Sequence, residues 1–143
     1  MPPAGPPRDE QQKVRPHNHA DIPDTAHVIR HTVPTDVVPD GSTGLMRIAS
    51  GAYTEGEGGG MSVDIEDWMI AEGLNPLHYV TDPTHGATRL KVGDLRALGL
   101  MVGWDPTSEN PHHCAVWGIK QSSSFRRKIM RIATTLKKAQ GED

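Results

Sequence analysis

Cysteine occurs once in these 143 residues and phenylalanine once, at Cys114 and Phe125. A lone cysteine excludes an intrachain disulfide and fits a reducing cytoplasm without requiring one. Aromatic residues make up 4% of the chain and hydrophobic residues 35%, against 15 Gly and 12 Pro. Such a chain is rich in loops and has one modest core. No apolar run approaches the roughly 20 residues of a membrane-crossing helix. The first residues hold no hydrophobic segment that would read as a signal peptide. Without a Cys pair or a His-x-x-x-His on a convincing helix, no metal site is expected. No cofactor is expected either, since there is no G-x-G-x-x-G after a strand and no G-K-[ST]. Gly58-Gly59-Gly60 precedes a possible helix start at Met61, but Glu55, Glu57, Asp64, Glu66 and Asp67 around it would repel a phosphate.

Charge is unevenly spread. The net charge is −3, yet residues 120–138 hold seven Lys or Arg and no acid, so the remainder is strongly acidic. A basic end on an acidic body is directional and favours an acidic partner or nucleic-acid phosphates there.

Residues 1–25 hold six of the twelve prolines and almost no apolar side chains. They bury too little surface to offset their ordering entropy and read as a disordered tail. Its His17 and His19 read as solvated. Residues 26–143 then form a single domain. Strands are expected over 27–33, 45–49, 87–92, 100–104 and 114–117. A helix is expected over 61–73, capped by Ser62 with acids in its first turn and stopped by Gly73. A short helix over 92–98 ends at Gly99. A last helix over 122–138 is expected from the 3.6-residue spacing of Phe125, Ile129, Ile132 and Leu136. The class is α+β: a small, mainly antiparallel sheet with two or three helices.

Polar groups at turns between strands sit on a rigid frame, which is where sites form. The stretch 101–120 holds Asp105, Asn110, His112 and His113 between two short apolar runs. Asp-Pro and Asn-Pro initiate turns, and a His beside one can act as acid or base near neutral pH. Adjacent residues on a strand face opposite ways, so only one of His112 and His113 can face a site. A second group, Arg30 and His31 with Arg47 and Ser50, could hold an anion such as phosphate if neighbouring strands bring them together. Asp64 and Asn110 complete this candidate ligand set. On the last helix Arg126, Arg127, Lys128 and Arg131 flank the apolar stripe as a candidate partner surface. Cys114, within an apolar run, reads as an inert small hydrophobe.

The segments Arg30-His31, Arg47 to Tyr53, Ser62-Val63-Asp64 and Asp105-Pro106 with Asn110-Pro111-His112-His113 resemble a group of small bacterial proteins of uncharacterised activity. The resemblance spans roughly residues 27–120 and departs at Ala49, where a second Ser is expected. It implies a shared fold and singles out His113 rather than His112, but carries no activity.

Two functions follow as expectations. The preferred one is a small cytoplasmic accessory protein that contacts a protein partner, with nucleic acid as a further candidate through the basic helix and no membrane involvement. The other is a small enzyme acting on RNA or a nucleotide phosphate. In it His113 and His31 exchange protons, while Arg30, Arg47, Ser50, Asp64 and Asn110 hold the ligand. The two diverge on whether these residues share one concave pocket.

Overall fold

A computed structural model describes residues 4–143. Six strands form one antiparallel sheet in the order β6-β7-β4-β1-β5-β8. These are β1 (His27–Thr32), β4 (Met61–Ile65), β5 (Gly86–Lys91), β6 (Met101–Trp104), β7 (His113–Trp117) and β8 (Thr134–Lys137). A separate hairpin pairs β2 (Val37–Pro39) with β3 (Met46–Ile48). The helices are α1 (Glu66–Ala71), α2 (Val92–Ala97) and α3 (Ser123–Ile132). The α+β class is therefore as expected, with three helices on a mostly antiparallel sheet.

In-register neighbours share a face, so the pairing assigns the two faces. Val28, Leu90, Ile65, Val63, Met61, Cys114, Val116 and Val102 lie on one face. They meet Leu95 of α2, Phe125 and Ile129 of α3, and Ala52 and Tyr53 in a single core. Ile29, His31, Ser62, Asp64, His113, Ala115, Trp117 and Gly103 lie on the other face.

Three expectations are corrected. The helix over 61–73 begins as a strand, because Met61, Val63 and Ile65 alternate buried with Ser62 and Asp64. That period of two wins over the capping pattern, and the helix is confined to Glu66–Ala71. Two β–α corners result, β4 into α1 and β5 into α2, each closed by a left-handed glycine, Gly73 or Gly99.

The last helix stops at Ile132. Ala133 is extended and Thr134 begins β8, so Leu136 belongs to a strand. β-Branched Thr134 and Thr135 favour that turn of events. Phe125 and Ile129 do face the core, and Ser122 caps the helix by accepting from the Phe125 N–H.

The tail is ordered against the domain over residues 4–25; Pro2 and Pro3 lie outside the described residues. Val14 packs on Ala115 and Trp117, and Ile22 joins the main core. The free edge of β6 explains the rest. The Val102 N–H donates to Asn18 Oδ1 at 2.9 Å, the Trp104 N–H to His17 Nε2 at 3.2 Å, and the His19 N–H to the Val102 carbonyl at 3.1 Å. Residues 17–19 thus satisfy an edge that would otherwise face solvent with unpaired groups.

Candidate functional site

β1 pairs with β5 at all six of its residues but with β4 only at Val28–Ile65 and Ile29–Asp64. Beyond Ile29 the two strands part. Arg30 stands in the gap: its Nε donates to the Ala52 carbonyl at 3.0 Å and its Nη1 to the Ser62 carbonyl at 2.9 Å. The fork opens a cleft of about 200 Å³ lined by Ile29, Arg30, His31, Ser62, Val63, Asp64, Tyr79, Asn110 and His113. Five of the expected residues, Arg30, His31, Asp64, Asn110 and His113, therefore meet, although they come from three separated stretches of chain.

Each polar group is held from behind. The Asn110 amide donates to Asp64 Oδ1 at 2.7 Å, while its carbonyl accepts the His112 N–H at 2.9 Å. Burial raises the Asp64 carboxyl above its ordinary value, against the opposing pull of Asn110, His113 and His31. The His113 Nδ1–H donates to the Asp105 carbonyl at 2.7 Å. That fixes the tautomer and leaves the Nε2 lone pair without a partner among the described residues. His31 Nε2 meets His85 Nδ1 at 2.6 Å, and His31 Nδ1 has no protein partner among the described residues. Burial first, and His85 second, lower the His31 pKa, favouring the neutral ring.

His112 is a support rather than a reactant. It is 2% exposed, with Nε2 against the Glu72 carboxylate and Nδ1 against the Tyr79 hydroxyl, both at 2.7 Å. An Nε2–H facing the carboxylate makes Nδ1 the acceptor of the Tyr79 proton, and the Tyr79 oxygen is left toward the cleft.

Two expected ligands lie elsewhere. Arg47 is on β3, its Nε bonded to Asp40 at 2.8 Å, and lines a different cavity with Tyr53, Thr88, Met130 and Glu142. Ser50 opens a short 3-10 turn that packs on α3, with its carbonyl accepting the Tyr53 N–H. Both sit on the side of the sheet that carries Thr88, away from His31. Of the basic residues on α3, Arg127, Lys128 and Arg131 are exposed and Arg126 is half-buried. Cys114 is fully buried and burial pushes its thiol far up, which suits an inert side chain.

The sequence reading missed His85 and Tyr79. A signal for His85 exists: Asp82-Pro83 leads through His85 into β5 as Asp105-Pro106 leads through His113 into β7. Tyr79 has no such signal; only the folded loop brings it to His112. Among the described residues no helix is long and apolar enough to cross a membrane. No protein-family model matches the chain, and comparisons with curated proteins and with solved structures return no match.

Proposed function

We propose that the chain is a small enzyme that performs general acid–base chemistry on a phosphate-bearing ligand, RNA or a nucleotide, in the fork between β1 and β4. The observation that carries this reading is the convergence of His31, Asp64, Asn110 and His113 on one cleft. His31 and His113 stand on β1 and β7, on opposite sides of β4, and both line the cleft. Each offers a ring nitrogen without a partner among the described residues. A phosphate between them gains a proton donor when either ring is charged, and one side loses a proton as the other gives one. Arg30 supplies the positive charge at the fork, with Nη2 bonded to nothing among the described residues. Asp64 opposes an anion when ionised; its raised pKa reduces that repulsion and lets it hold a proton itself.

The test is a paired one. His113→Ala should melt within about 3 °C of the parent, since a partly exposed ring is lost from the first residue of β7. Phosphate or a nucleotide should shift the ring signals of His31 and His113 in the parent and fail to shift His31 in the variant. If no ring signal of the parent moves with either ligand, the phosphate reading fails.

A second reading, an accessory module that docks on a protein through α3, has one observation in its favour. Arg127, Lys128 and Arg131 are exposed and form no ion pair among the described residues. In either case the single buried cysteine fits a reducing compartment, the bacterial cytoplasm in our reading.

A further inference from the structure

We infer that Asp82, His85 and His31 form a proton relay between the cleft and the surface, an assignment that rests on reading the cleft as an acid–base site. The three groups stand in line. Asp82 Oδ2 is 3.5 Å from His85 Nε2, and His85 Nδ1 is 2.6 Å from His31 Nε2. The rings stand at 67° with centroids 4.8 Å apart, so the near nitrogens meet at the ring edges. His31 lines the cleft at one end of the line, while Asp82 is exposed at the other.

The direction of the chain follows from Asp82. Its Oδ1 accepts from the Thr84 hydroxyl at 2.7 Å and from the Thr84 N–H at 2.9 Å. Those two bonds hold the carboxyl below its ordinary range, so it is an acceptor. The Asp82 carboxylate 3.5 Å from Nε2 of His85 favours the proton there by its charge, which leaves Nδ1 as the lone pair. His31 must then donate through Nε2, and its Nδ1 is the lone pair that faces the ligand. One tautomer for each ring satisfies every contact.

The transfer balances. A ligand or water O–H gives its proton to His31 Nδ1. The Nε2 proton of His31 passes to His85 Nδ1, and the Nε2 proton of His85 leaves to water at the exposed Asp82 end. Both rings end neutral, each in the opposite tautomer, and the His31–His85 hydrogen bond survives with its polarity reversed. Transfer in the other direction restores the starting state. Neither half-buried ring keeps a net charge, the state that partial burial disfavours. The other charged neighbours are Asp64 and Arg30 beside His31, and Lys137, whose Nζ donates to the His85 carbonyl. Lys137 and the His85 N–H donating to the Asp82 carbonyl at 3.1 Å hold His85 in place.

The experiment follows the ring nitrogens of the full chain by long-range 1H–15N correlation between pH 5 and 8. In the parent both His31 and His85 should carry the proton on Nε2. In His85→Ala, with His85→Gln as the alternative if the alanine variant melts early, His31 should titrate in a single step at higher pH. A purely structural pair would lower the melting temperature on substitution but would not require these tautomers. Inorganic phosphate is the probe for the cleft itself. If phosphate moves no ring signal, the cleft reading fails and the relay with it. If phosphate moves His31 while either ring holds its proton on Nδ1, or His31 titrates alike with and without His85, the relay alone is overturned.

Discussion

Gly103→Ala puts a methyl group where the N-terminal segment lies. A Cβ built at Gly103 would stand 2.6 Å from the His17 carbonyl oxygen and 2.6 Å from His17 Cε1 and Nε2. Real Cβ atoms do not approach backbone so closely, and a carbonyl cannot rotate away as a side chain can. Residues 14–18 must therefore shift. The shift breaks the bonds from the Trp104 N–H to His17 and from the Val102 N–H to Asn18. It also uncovers Val14 from Trp117 and Ala115. Two hydrogen bonds at about 0.5–1.5 kcal/mol each and a Val side chain at about 1.5 kcal/mol sum to about 2.5–4.5 kcal/mol. Replacing Gly in a strand returns about 0.5 kcal/mol. The net loss of about 2–4 kcal/mol corresponds to roughly 6–12 °C in melting temperature for a domain of this size. Melting followed by circular dichroism reads the magnitude. Tryptic cleavage at Arg8 and Lys13 reads the cause, since a displaced segment is cut while the core resists. Gly51→Ala, with open space around it, is the control and should stay within about 0.5 kcal/mol. If Gly103→Ala melts with the parent and Lys13 stays protected, the segment does not hold the β6 edge.

Two further outcomes are expected. His112→Ala removes a buried ring and leaves the Tyr79 hydroxyl and Glu72 without their partner, so urea unfolding should show a loss of about 2–4 kcal/mol; a loss under about 0.5 kcal/mol would deny it the supporting role. Asp64→Asn should hold or raise the melting temperature near pH 7, because it removes a carboxylate whose ionised form burial disfavours. The sign follows from the raised pKa: this group's contribution to stability is fully present below its ordinary 3.8 and is lost as pH rises through the raised folded value. Melting curves of the variant should therefore depend less on pH over that window, and an equal dependence in both proteins would show that Asp64 is not perturbed.

Sheet membership was legible where pattern and environment agree. Ala87 to Lys91, Met101 to Trp104 and Cys114 to Trp117 are short apolar or alternating runs between turn residues, and each became a strand. Met61 to Ile65 fits two patterns, since Ser62 followed by acids caps a helix while Met61, Val63 and Ile65 alternate; only the space between β1 and β7 decides. Ile132 and Leu136 are spaced as on one helix face, yet Ala133 leaves the helix between them so that β8 can pair with β5. The N-terminal segment gave no hydrophobic signal because polar groups do much of its docking. Asn18 and His17 answer N–H groups on β6 that local sequence cannot show to be unpaired.

The site follows the same division. His31, Asp64, Asn110 and His113 were legible as chemistry, since turn-borne and strand-start polar residues are what a site is built from. Their meeting was not, because it depends on where two strands stop pairing. Arg30 shows why. By residue type it is a phosphate ligand, and two of its donors are instead spent on the Ala52 and Ser62 carbonyls at the place where β1 and β4 separate. The Ser62 carbonyl, turned into the widening gap, is answered by a guanidinium where a neighbouring strand would have served. Arg30 therefore satisfies the opened edge of β4 and leaves room for a ligand above it, and burial draws its pKa down without removing its charge. The cleft exists because a cation took the place of the next rung of a β-ladder.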